Sequence, residues 1–128
     1  MSVRIVRLGT PRLKGEGLRI GTVRRPPRGV KKENYASEDW YDVWYPELSP
    51  SQDLVSKALK AETDKEWAGF VRAFRGEMAE AAPRRTIELL AALSKTADFS
   101  VGCYCEDEAR CHRSVLRELL AEAGADVA

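Results

Sequence analysis

Nothing in the chain approaches the roughly 18 consecutive apolar residues that a membrane-spanning helix needs, which excludes a helical membrane protein. The opening Met1-Ser2-Val3-Arg4 lacks the apolar stretch of a secretion signal. A cytoplasmic protein with no membrane partner is therefore expected. An excess of one charge is also missing: 21 Lys and Arg face 20 Asp and Glu, for a formal net charge of +1. No global field draws this chain to nucleic acid or anionic lipid, so anion binding must come from local clusters. Histidine occurs once and cysteine only three times. The three cysteines are crowded between positions 103 and 111. A secreted disulfide framework would spread an even number along the chain, so reduced thiols are expected.

What is present suits one ordinary domain spanning residues 1–128. Residues 3–8 (VRIVRL) alternate apolar and basic side chains, as a strand with one solvated face does. Residues 18–23 (LRIGTV) give a second strand, stopped by Arg24-Arg25-Pro26-Pro27-Arg28-Gly29, which cannot continue in a sheet. Residues 31–50 show no period and are rich in aromatics; an irregular segment packed on the body is expected there. Helical periodicity then returns three times. One helix starts near Ser51, one behind the capping box Thr63-Asp64-Lys65-Glu66, and one with Pro83 in its first turn. Residues 98–105 (DFSVGCYC) read as a strand with Phe99, Val101, Cys103 and Cys105 on one face. A last helix follows, with Gly124 as its C-terminal cap. This order predicts an α/β fold: a Rossmann-like layered domain with a small central sheet flanked by helices. It leaves the strand order open, and residues 126–128 unassigned.

The chemistry concentrates at Cys103-Tyr104-Cys105 and Cys111-His112-Arg113. Open α/β sheets bind ligands beyond the carboxyl ends of their strands. A helix start offers free N–H groups to an anion, and a thiol placed there is activated. Arg113 adds a planar donor fork for phosphate or carboxylate. The preferred reading is an anion pocket in which Cys111, His112 and Cys105 are the candidate reactive groups. Three other readings stay open. Cys103, Cys105, Cys111 and His112 suit zinc by residue type, although C-x-C-x5-C-H is not a zinc-finger spacing, and adjacent Cys111 and His112 would diverge on a helix. Cys105 and Cys111 could exchange a disulfide, though no C-x-x-C pair exists. The last makes the cysteines small core hydrophobes, as expected for Cys103. A cysteine-phosphatase loop is not predicted, because Cys105 and Arg113 stand too far apart and Glu106, Asp107 and Glu108 lie between them.

A second cluster joins this one in the preferred reading. Arg24 and Arg28 sit on a loop stiffened by Pro26 and Pro27, and with Arg113 they would hold the anion. The bland alternative is a solvated basic turn balanced by Glu33, Glu38 and Asp39. Trp40, Tyr41, Trp44 and Tyr45 could stack a base, but are read first as anchors of the irregular segment.

Together, the strand entering Pro27-Arg28-Gly29-Val30, the Trp44…Leu48-Ser49-Pro50-Ser51 stretch, the Trp67…Phe70…Phe74 helix and the closing Cys-His-Arg start resemble the YeaO-like proteins of domain family 488. The likeness covers roughly residues 3–121. It implies a small prokaryotic α/β domain with a Rossmann-like core, and it names no activity or cofactor. The expected ligand is a phosphate- or carboxylate-bearing small molecule or nucleotide. A non-enzymatic module for nucleic acid or protein is the alternative, and a structural metal site the weaker one.

Overall fold

The computed structural model describes residues Met1–Ala128. Its four strands are β1 (Val3–Arg7), β2 (Leu18–Gly21), β3 (Val43–Trp44) and β4 (Phe99–Cys103). Its helices are α1 (Gln52–Lys60), α2 (Asp64–Met78), α3 (Ala81–Leu93) and α4 (His112–Glu122). The strands form one parallel sheet in the order β1-β4-β2-β3. The last strand in the chain is thus an inner strand, buried at all five positions. Because the sheet is parallel, β1, β2 and β4 end on the same side, and the residues that follow them meet there.

Side-chain alternation divides the sheet into two unlike faces. Val3, Ile20, Phe99 and Val101 pack with Leu54, Phe70, Phe74, Ile87, Leu90, Val115, Leu116 and Leu120 of the helices. Burying each of these large side chains contributes about 1.5–3 kcal/mol. The helix starts follow local chemistry. Ser51 accepts from the Leu54 amide at α1, and Thr63 from the Glu66 amide at α2. At the end of α4, Gly124 takes the left-handed conformation with φ +94°.

The opposite face has no helix against it. It is covered by the irregular chain around residues 10–17 and 35–42, so the helices flank the sheet on one side only. Arg19, fully buried, organises this cover. Its guanidinium donates to both Glu16 carboxylate oxygens at 2.8 and 3.0 Å and to the carbonyls of Thr10 and Asp39 at 2.8 Å. Ser100 of β4 donates to the same carboxylate at 2.8 Å. Desolvation pushes the Glu16 pKa up, but the bonds from Arg19, Ser100 and the Leu13 amide outweigh it and hold the group at about 2. At Gly21 a Cβ would run into the ring of Tyr41, so glycine there lets the aromatic segment lie on the sheet.

The differences from the sequence reading are local. The first, second and last strands stop short of their apolar runs. A two-residue strand, β3, lies within the stretch read as irregular, beside short 3-10 turns at Lys32–Asn34 and Pro46–Leu48. Its partner is the edge of β2, a pairing that period alone cannot reveal. The unassigned C-terminus returns to the sheet, where Val127 bridges Val3. No helix is long and apolar enough to cross a membrane.

The Glu16–Arg19 pair yields a stability prediction. Glu16→Ala leaves a buried guanidinium without its carboxylate and should cost about 3–5 kcal/mol in denaturant unfolding. Replacing both residues by hydrophobics of similar size should cost distinctly less. Equal losses in the two variants would contradict this account.

Candidate functional site

Thr22 and Val23 leave β2 and lead into the basic loop. Cys103 closes β4, and Arg7, its register partner, closes β1. Cys111 caps α4 with extended backbone angles, φ −127° and ψ 146°. These strand ends and the helix start line one open cleft of about 1270 Å³.

His112, the first residue of α4, ties the two clusters together. Its Nε2 lies 2.6 Å from the Thr22 carbonyl. A carbonyl can only accept, so Nε2 carries the proton and Nδ1 keeps its lone pair. The ring also stands edge-on to Phe74, with centroids 5.7 Å apart. Desolvation lowers the His112 pKa, the Thr22 bond opposes that, and the positive Arg113 and Arg24 reinforce it; the value is about 4. The imidazole is neutral at pH 7.

The Cys103 and Cys111 sulfurs meet as a disulfide, and Cys105 is free and exposed. This corrects two sequence expectations. The sulfur that meets Cys111 is that of Cys103, not that of Cys105. Cys105 is also not on the strand face, because β4 ends at Cys103 and the chain turns away at Tyr104. Although the residue is exposed overall, partial desolvation of its thiol raises the Cys105 pKa beyond what the charges of Arg113 and Arg7 take back. Nor do Cys111 and His112 diverge as two helical neighbours would. Cys111 is a cap in extended conformation, so its sulfur, the Cys103 sulfur and a His112 ring nitrogen all lie within 4.8 Å of one another.

The arginines separate into two groups. Arg24 donates to the carbonyls of Pro50 and Ser49 at 2.9 and 3.1 Å, clamping the basic loop to the start of α1. Arg25 reaches Gln52, and its carbonyl accepts from the Tyr104 hydroxyl. Arg28 is exposed. None of these three forms a salt bridge, yet all line the cleft. Arg113 does not line it. It sits a turn of about 100° from His112 around α4, only 5% exposed, under the chain of residues 104–110. There it donates to the Glu106 carbonyl at 3.3 Å, while its Nε has no partner. Cys105, Cys111, His112, Arg24 and Arg28 are thus brought together, and Arg113 stands behind them.

Two cleft residues had no signal in the sequence reading. Arg7 belongs to the site because β1 adjoins β4, which strand order alone reveals. Arg110, just before the Cys-His-Arg triplet, lines the cleft from a 3-10 turn and lies over Trp67. The 23 lining residues include five arginines and no carboxylate. A nearly neutral chain has sorted its charge so that one concavity is positive. The aromatics of the irregular segment are mostly committed to packing. Tyr41 is buried, Tyr35 meets it edge-on at 5.2 Å, and Trp44 donates to the Val23 carbonyl. Trp40 meets Tyr104 edge-on at 5.8 Å on the cleft wall.

Fold and site together define an all-parallel α/β domain with an arginine-walled cleft at the carboxyl ends of its strands. A family profile described as DUF488-N3a, "Active DUF488-N3 subclade", matches residues 3–124. The chain belongs to this DUF488 family, the one its Pro-Arg-Gly loop and Cys-His-Arg helix start resemble. No curated protein and no solved structure matches it.

The depressed His112 pKa links stability to pH. From the ordinary 6.5 down to about 4, the unfolded chain holds this proton and the folded chain does not. The contribution is complete above pH 6.5 and is lost as pH falls through that window, by about 3 kcal/mol. Urea unfolding between about pH 7.5 and pH 4 should show this loss in the wild type and much less of it in His112→Gln. Parallel pH profiles for the two proteins would contradict the assignment.

Proposed function

We propose that the chain binds a small anionic molecule of nucleotide type, carrying phosphate or carboxylate, in the arginine-walled cleft. The observation that carries this reading is the lining: five arginines, no acid, and three of those arginines without any salt bridge. Positive charge left uncompensated in a concavity focuses its field on an incoming anion. Arg28 has no hydrogen bond or ion pair to give up, so its donor fork is free for a bidentate contact. Val55, Ala58 and Leu59 of α1, and separately Trp40, add apolar lining suited to a ring. Cys111, once its sulfur is parted from that of Cys103, and His112 are the reactive groups of this reading. Cys105 suits a nucleophile less, since its raised pKa keeps the thiol protonated. The matching family group is described as active, which supports a site with its reactive residues in place.

The position of Arg113 alters its part in this reading. It supports the floor from behind by holding the Glu106 carbonyl, and the ligand-facing arginines become Arg24, Arg25 and Arg28. A nucleic-acid module has less support, because most of the aromatics that would stack bases are packed against the body.

Thermal-shift and calorimetric titration with ADP at low ionic strength tests the reading. ADP should stabilise the protein, and Arg28→Ala should weaken its binding about ten-fold or more, as loss of a charge-assisted bond does. Arg28 is exposed and unpaired, so this variant should fold as the wild type does. No ADP-dependent stabilisation, or equal affinity in the variant, would overturn the reading. Tighter binding of a single-stranded oligonucleotide than of ADP would favour the nucleic-acid alternative.

A further inference from the structure

On the lining of the cleft, two sulfurs and one imidazole converge from two parts of the chain, the end of β4 and the start of α4. Cys103 comes from the end of β4, Cys111 from the cap of α4, and His112 from its first turn. Their donor atoms lie within 4.8 Å of one another, and all three residues line the cleft. Two thiolates and an imidazole are a borderline-soft set that suits zinc(II).

We propose that Cys103, Cys111 and His112, with the two cysteines reduced, form a three-ligand zinc(II) site whose fourth position opens to the cleft. Three geometric features carry this beyond a list of donors. The Cα atoms of Cys103 and Cys111 stand 7.7 Å apart, wider than the 4.4–6.8 Å that disulfides usually span. Zinc–sulfur bonds of about 2.3 Å at a tetrahedral angle set two sulfurs about 3.8 Å apart, which this wider backbone spacing accommodates. Next, the hydrogen bond from His112 Nε2–H to the Thr22 carbonyl fixes the ring and its tautomer. Imidazoles that bind metal are held by such a bond from their other nitrogen. Finally, the site lies against an open cleft and not in a closed core, and zinc sites with three protein ligands keep a position for water or substrate.

Metal binding releases the two thiol protons and leaves every oxidation state unchanged. Zinc binding and the Cys103–Cys111 disulfide are therefore mutually exclusive states of one pair of sulfurs. Cys105 takes no part, since it stands exposed at the rim. The site requires no anion in the cleft, so it stands or falls apart from ADP binding.

Cobalt(II) is the probe, because its thiolate charge-transfer and tetrahedral d–d bands report ligand type. The intact chain is reduced, freed of reductant under argon, shown to have three titratable thiols, and titrated with cobalt(II). One equivalent should bind with both sets of bands, and zinc(II) should displace it. Cys103→Ser and Cys111→Ser should each bind at least ten-fold more weakly, with diminished charge-transfer bands, while Cys105→Ser should match the wild type. His112→Ala should keep the thiolate bands and bind at least ten-fold more weakly. The proposal is overturned if the reduced wild type gives no thiolate bands. It is equally overturned if Cys105→Ser abolishes them while the other two serine variants, folded by circular dichroism, retain them. The wild-type titration is decisive even if a serine variant fails to fold.

Discussion

A single hydrogen bond, from the His112 imidazole to the Thr22 carbonyl, joins the two chemically distinctive parts of this chain. Thr22 is the first residue beyond β2, leading with Val23 into the basic loop, and His112 is the first residue of the last helix. Separated by 90 positions in sequence, they sit 2.6 Å apart atom to atom. The contact is possible because β4 lies beside β2 and ends one residue beyond it, with Gly102 paired to Gly21. From that point the arginine loop runs one way and α4 the other, and the cleft opens between them. The imidazole is neutral in spite of that contact: desolvation, helped by the positive charges of Arg113 and Arg24, outweighs the bond to the Thr22 carbonyl, which favours the protonated ring.

The opposite face of the sheet keeps this arrangement rigid by a different means. Its buried polar network centres on Arg19, with Glu16, Ser100 and two loop carbonyls as partners. Burying a guanidinium is costly unless every donor has a partner and the charge is balanced. Here the partners come from the irregular chain, so satisfying Arg19 also fixes loops that have no helix to hold them. Tyr41 lies over Gly21 in the same layer, and Trp40 is carried from there to the cleft wall. The two faces thus divide the work. Apolar helices bury the core, and a polar cluster shapes the rim of the cleft.

Much of this fold was legible in the sequence. The helical periods, the Thr63 capping box and the buried run of β4 each have a local cause and appear where that cause lies, whereas β2 ends at Gly21, before the prolines read as its stop. Long-range pairing was not legible. β3 spans two residues and owes its existence to the edge of β2. Arg7 reaches the cleft only because the last strand inserts beside the first. The thiol cluster shows the same limit: Cys103 and Cys105 are interchangeable by spacing, and only the end of β4 decides which one faces Cys111. The expectation that Cys111 and His112 diverge failed for a stereochemical reason, since a cap residue has extended angles and its side chain need not follow the helical turn. Arg113, read as a ligand-facing donor, lies one helical step further round, where that turn does apply.

The central claim is that the Arg24–Arg28 loop and the Cys111–His112 helix start form one binding surface. Titration of ¹⁵N-labelled protein with ADP, followed residue by residue by NMR, tests it most directly. The account predicts that the amides of Val23, Arg24, Arg25 and Arg28 and those of Cys111 and His112 shift together along a single binding curve. Shifts confined to one group, or centred elsewhere on the molecule, would contradict it.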